Sequence, residues 1–325
     1  MTKEEFIRKL QSIIDLGNDF QVLVYFAMNT SDGLCLKKAD VKREVLLDMR
    51  EGYMDSIQGE LNLFMQDNER DLLDLSSRDE RMNVVYRYDL PDEEPSFFAL
   101  MREAYVSHNV DHFTGAKIFN FDNDSLSNID YFIIEAGSAD NKIVIYRNNY
   151  NINLMRQSRG RFYITKSGMQ FDQVKEPILR IDSQIDALLF DNDFFITNLS
   201  YLDNNKEFSS IIVKRASEAL VRIGELNMVD SLEGMQERLS EISFARRLMR
   251  ALDSSPVTEI PLADILDFVR NHDVLKDVLK IENDKIKLPT KKSQDSFIRL
   301  LNDDFLYSKL SKRNYESKAK SQVRL

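Results

Sequence analysis

A single cysteine, Cys35, in 325 residues excludes a disulfide within the chain and a zinc site built on cysteines, in keeping with a reducing compartment. Long apolar runs are missing as well. A membrane-spanning helix needs roughly 20 apolar residues in succession, and the richest run here, residues 131–136, already holds Glu135 and ends on Gly137 and Ser138. The charged start, with Lys3, Glu4, Glu5 and Arg8, passes straight into a helical pattern and lacks the signal-peptide layout of basic end, apolar run and small-residue cleavage site. These absences lead us to expect a cytosolic protein. None of the 10 glycines belongs to a phosphate loop followed by Lys and Ser or Thr, and no dinucleotide fingerprint follows a strand. ATP, GTP and NAD are therefore disfavoured, and no cofactor is expected. Nucleophile elbows and kinase signatures are missing too. Without a repeat of fixed period or a low-complexity segment, solenoids and propellers are disfavoured.

What is present is an ordinary globular composition, 43% apolar and 30% charged, long enough for one large domain or two of common size. The net charge is −10, but it is unevenly spread. Residues 141–171 hold Lys142, Arg147, Arg156, Arg159, Arg161 and Lys166 and no acid, a local +6, and residues 285–325 set eleven basic residues against four acids, a local +7. The remainder carries −23. An acidic body with one or two anion-facing surfaces has this distribution.

Apolar spacing predicts a short helix over residues 4–15, a strand over 20–28, a turn over 29–33 and a second strand over 34–38. A long helix is expected from Asp40, taken as its N-cap, with Val41, Val45, Met49, Tyr53, Ile57, Leu61 and Met65 on one stripe. Residues 83–89 alternate as a strand, and 96–103 read as a short helix. Further strands are predicted at 116–121, 130–135, 142–146, 161–165, 178–181, 187–190 and 194–197, with turns at 139–141 and 191–193 closing hairpins. From Asn205 onward the period becomes helical, with helices at 235–252, at 262–271 after Pro261, and at 290–302, and with a small hairpin over 280–288 centred on Asn283 and Asp284. The fold class expected is α+β. A mostly antiparallel, β-rich region with helices spans residues 1–203, and a helical region with a small hairpin and basic tail spans 204–325.

Three arrangements bear on chemistry. His108 and His112 have the four-residue spacing of a helical metal pair, but no Glu follows His108, and Val110 and Phe113 favour a loop or strand. Cys35, flanked by Leu34 and Leu36, reads as a packed thiol. Asp130, Asp140 and Lys142 follow the order of a restriction-type metal nuclease, although Asp140 falls in a turn where Asp is common for backbone reasons. The basic stretches weigh more, because Tyr146, Tyr150, Phe162 and Tyr163 interleave with the arginines around Gly160, setting phosphate-reaching cations beside rings that can stack. Tyr146 and Phe162 are assigned to the core. The DNA-contacting set expected is Arg147, Arg156, Arg159, Arg161 and Lys166, with Lys309, Lys312, Arg313, Lys318, Lys320 and Arg324 from the tail.

Residues 300–306, then Ser308, Leu310, Tyr315 and Lys318, preceded by 264–279 and the hairpin near Asn283, resemble the closing segment of the KwaB family, cytosolic subunits of the bacterial Kiwa anti-phage defence system. Residues 182–198 resemble that family's middle segment. The resemblance implies a DNA-binding effector that acts with a membrane partner, KwaA, to restrain phage replication and late gene expression, without a nucleotide cofactor. We expect binding without strong sequence specificity and a homo-oligomer. A metal-dependent nuclease, or an interaction subunit that leaves DNA alone, is the alternative.

Overall fold

The computed structural model describes residues 1–31, 33–66, 70–77, 83–90, 93–107, 117–150, 153–156, 163–253, 255–308, 310 and 313–317. The fold is α+β, strand-rich in its first half. Two compact units divide it: 1–72 with 84–88 and 95–202, and 73–83 with 89–94 and 203–325.

In the first unit α1 (Lys3–Ile14) starts on a capping box, with Thr2 Oγ1 accepting from the Glu5 N–H and the Glu5 carboxylate from the Thr2 N–H. It buries Phe6, Leu10 and Ile13. β1 (Gln21–Thr30) and β2 (Gly33–Lys38) form the expected hairpin. α2 (Arg43–Met65) has its N-cap at Lys42, two residues after the expected Asp40, with no side-chain cap hydrogen bond among the described residues. Its buried stripe is Tyr53, Ile57, Leu61 and Phe64, with Leu46 and Met49 of its first half packed partly buried against the same core, while Val45 and Met65 stay exposed. There follow β3 (Asp71–Asp74), β4 (Val84–Arg87), α3 (Ser96–Ser107), β5 (Lys117–Ile118), β6 (Ile129–Gly137) and β7 (Lys142–Asn148). The chain continues through β8 (Leu154–Met155), β9 (Ile164–Ser167), β10 (Gln170–Gln173), β11 (Ile178–Leu179), β12 (Ala187–Phe190), β13 (Asp193–Ile196) and α4 (Leu199–Leu202).

Nine of these strands make one sheet in the order β3-β4-β13-β12-β7-β6-β1-β2-β5. The β2–β5 pair is parallel, and the pairs from β4 through to β2 are antiparallel. Strand parity explains why β1, β6 and β7 read as continuous apolar runs. Val22, Val24, Phe26, Phe132, Ile134, Ile143 and Ile145 join the cluster that holds Phe6 and Leu10 of α1 and Tyr53 and Ile57 of α2. The alternate residues face α3: Phe97 meets the Tyr131 and Tyr146 rings at 5.9 and 4.4 Å. Helices thus cover both faces, so neither parity can be polar without a partner.

The second unit contains α5 (Lys206–Glu225), α6 (Glu233–Glu237), α7 (Ile242–Asp253), α8 (Leu262–Asn271), α9 (Leu275–Val278), β14 (Lys280–Glu282), β15 (Lys285–Lys287), α10 (Lys291–Leu301), β16 (Phe305–Ser308) and β17 (Arg313–Glu316). Asn205 caps α5, its Oδ1 accepting from the Glu207 and Phe208 N–H groups. α5 lies against α7, and α7 against α10. Where one helix was expected over 235–252, the chain breaks at Glu241. Arg238, buried there, is salt-bridged to Glu241 and Asp295 and sits 4.0 Å from the Phe244 ring centre. That tertiary clamp outweighs the helical period. The β14–β15 turn is built on Asn283 and Asp284, both with positive φ, as a two-residue hairpin requires.

Candidate nucleic-acid interface

The expected DNA-contacting residues fall into three groups. Arg147, on β7, points inward and is 5% exposed. Its Nε and Nη2 donate to the two oxygens of Asp182 at 2.8 and 3.1 Å, and its Nη1 donates to Asp186 at 2.9 Å. Shared parity with Ile143 and Ile145 puts it on the α2 side, where Tyr53 Oη donates to the Asp182 carbonyl. Burial raises the Asp182 carboxyl, but the hydrogen bonds and charge of Arg147 outweigh that and hold it below the usual range. Burial pushes Asp186 up, opposed by the Asn148 N–H and by Arg147. Arg147 is thereby a structural clamp and is withdrawn from the DNA-facing set.

Arg156 and Lys166 form the second group, and both are exposed. Arg156 follows β8 and donates to Ser127 Oγ at 2.6 Å. Lys166 stands on β9, which pairs with β10 around a turn that includes Gly168 at φ +61°. All eight residues of this ribbon are exposed. Cross-strand pairing puts Ile164, Lys166, Phe171 and Gln173 on one face and Thr165, Ser167, Gln170 and Asp172 on the other. Phe171 is 75% exposed, and Met169 at the tip is 100% exposed. The strand expected over 161–165 overlaps β9 only at residues 164–165, residues 161–162 lying outside the described ones, and β10 and these apolar tips were missed. Ile164, Met169 and Phe171 around Ser167 and Gly168 were the available signal, and the two polar flanks concealed the alternation.

The third group is Arg159, Arg161, Lys309, Lys312, Lys318, Lys320 and Arg324, which lie outside the described residues. Arg313 opens β17, a strand that the basic-tail reading did not anticipate.

The nuclease-like trio does not come together. β6 and β7 pair with Gly137 opposite Lys142, while Asp130 sits seven residues further along β6. At ~3.3 Å per residue that separates Asp130 from Lys142 by roughly 23 Å. Lys142 is 2% exposed and salt-bridged at 3.3 Å to Glu135, whose other oxygen accepts from Tyr25 Oη. Its ammonium lies 5.2 Å from the Tyr105 ring of α3, so this pair locks the sheet's second face. His108 and His112 lie outside the described residues, and among the described residues no three His, Cys, Asp or Glu side chains gather as metal ligands. Cys35, on β2, packs against the core as a half-buried thiol. No described helix is long and apolar enough to cross a membrane.

Comparison with known proteins gives a family. The family described as Kiwa protein KwaB-like matches residues 126–311, from the segment leading into β6 to beyond β16. The Kiwa protein KwaB of Escherichia coli O55:H7 is 29% identical over 331 aligned positions, covering 99% of this chain and 99% of that one. No solved structure matches. The matched region takes in the exposed ribbon, the Arg147 clamp and most of the second unit, and with more than half its length so matched the chain belongs to the Kiwa KwaB-like family, whose role is in the Kiwa anti-phage defence system.

Proposed function

We propose that this chain is the DNA-engaging subunit of a Kiwa system, binding duplex DNA through its phosphates without reading bases. It acts from the cytoplasm as a homo-oligomer with the membrane protein KwaA to restrain phage replication and late transcription. The observation that carries this reading is the β9–β10 ribbon. An isolated two-stranded hairpin is marginal in water, and this one leaves both faces exposed, with Lys166 beside Phe171. Its first strand lies in the acid-free basic stretch that also holds Arg156, Arg159 and Arg161, and the one acid of the ribbon, Asp172, stands on the face opposite Lys166 and Phe171. Cations reach phosphates, and an exposed ring and tip supply apolar contact to a groove wall.

The test is fluorescence anisotropy on a labelled duplex across a salt series, with and without magnesium. Four to six phosphate contacts give a log–log slope of roughly −4 to −5. Alanine at Arg156, Arg159 and Arg161 together weakens binding more than deletion of residues 318–325, because Arg156 is already seated on Ser127 after β8, and fixing backbone only on binding costs about 1–2 kcal/mol per residue. Affinity that ignores salt, or a tail deletion that abolishes binding while the folded triple variant binds normally, overturns the assignment. Cutting in the presence of magnesium revives the nuclease alternative.

A further inference from the structure

We propose that a groove in the second unit, walled by Ile260, Ile265, Phe268 and Phe305 and rimmed by Asp264 and Asp303, docks a polypeptide segment in which a large apolar side chain is flanked by Lys or Arg. The occupant is contributed by the membrane partner, so this inference rests on the reading that the chain acts with one. The groove encloses about 200 Å³. Small-molecule sites typically hold roughly 300–1,000 Å³, so the space suits a side chain or two from a protein rather than a metabolite.

Its mouth is apolar and wet: Ile260 is 44% exposed and Phe268 39%. Neither Asp264 nor Asp303 has a hydrogen-bond or ion partner for its carboxylate among the described residues, and both are exposed. Nearby cations are taken, Arg270 by Asp284 and Lys276 by Asp273. The walls are braced by His272, whose ring lies 5.2 Å from both Phe268 and Phe305. Its Nδ1 accepts from the Val274 and Leu275 N–H groups, which leaves the ring neutral, and its buried Nε2 has no acceptor among the described residues. The rim is therefore negative and the floor uncharged.

An apolar slot beneath two unpaired carboxylates complements a basic amphipathic segment in shape and sign. Membrane proteins concentrate such sequence where a span meets the cytoplasm, with apolar residues of the span's end beside the Lys and Arg that fix its orientation. A nucleic acid is rejected by the same rim.

Co-expression of the full tagged chain with the membrane protein of its own system, extraction in mild detergent and capture on the tag tests the assignment. Asp264→Asn with Asp303→Asn, which neutralises the rim and suits the φ of +58° at position 303, is expected to cut captured partner about tenfold while duplex binding and melting stay close to wild-type values, and Phe268→Glu cuts capture likewise. Wild-type capture with undiminished capture by both variants overturns the groove while leaving the partnership standing. Failure of the wild type to capture the partner removes the partnership and this inference with it. A variant that turns a self-associating protein into a monomer without losing the partner assigns the groove to a second copy and overturns the proposal.

Discussion

Arg147→Ala separates a structural from a DNA-facing arginine, and its magnitude follows from the geometry. The substitution removes the donors that hold Asp182 and Asp186 and leaves Asp186, 1% exposed, with the Asn148 N–H. Stranding a buried charge in this way costs about 3–5 kcal/mol. In a unit of 150–250 residues each kcal/mol moves the midpoint by roughly 2–4 °C, so the first transition should fall by about 6–20 °C. Arg147→Lys recovers little, since one ammonium cannot repeat a fork that holds two carboxylates. Thermal melting by circular dichroism measures the shift, and anisotropy on duplex DNA, at a temperature where both proteins are folded, should find affinity and salt slope unchanged. A surface arginine does the opposite: melting stays put and the salt slope loses about one. That outcome would refute the clamp.

Three further outcomes follow from single positions. Gly137 has φ +138°, and a Cβ there would lie 2.3 Å from the Asn141 carbonyl oxygen and 2.6 Å from the Lys142 Cα. Gly137→Ala should therefore lose roughly 3–5 kcal/mol in urea unfolding, whereas Gly168→Ala, at φ +61° with open space around it, loses only about 1 kcal/mol. Asn205→Ala strips the acceptor from two N–H groups of α5, and equilibrium unfolding should show a loss of about 1–2 kcal/mol confined to the second unit. Burial lowers the His272 pKa, so its stabilising contribution is complete above an unfolded value of about 6.5 and is lost as pH falls below it. Melting of the second unit at pH 5.5 and 7.5 should show that loss, and His272→Asn, which keeps an acceptor, should flatten it.

Legibility in the sequence tracked how locally each feature is determined. β1, β6 and β7 were readable because burial on both faces favours apolar residues at nearly every position, with Glu135, Lys142 and Arg147 the partnered exceptions. The start of α5 and the β14–β15 turn were readable because Asn205, Asn283 and Asp284 act on their own backbone neighbourhood. The break between α6 and α7 was not, since it depends on Arg238 reaching Asp295 more than fifty residues on. Arg147 was misread for the same reason: its local stretch contains no acid, and its partners arrive with the segment before β12. Lys142 looked like part of a catalytic trio until pairing put it opposite Gly137 and gave it Glu135.

The place of β1 in the sheet sets a schedule for synthesis. Its neighbours are β2, made at once, and β6, which begins at Ile129. A ribosome adding roughly 5–20 residues per second needs about 5–20 s to span that interval. Throughout it the outer edge of the β1–β2 hairpin offers a row of unpaired amides flanked by Val22, Val24 and Phe26, the template other nascent chains can extend. Yield in a cell should thus depend on translation speed through residues 31–137 and on chaperone capacity, even for variants whose finished fold is fully stable.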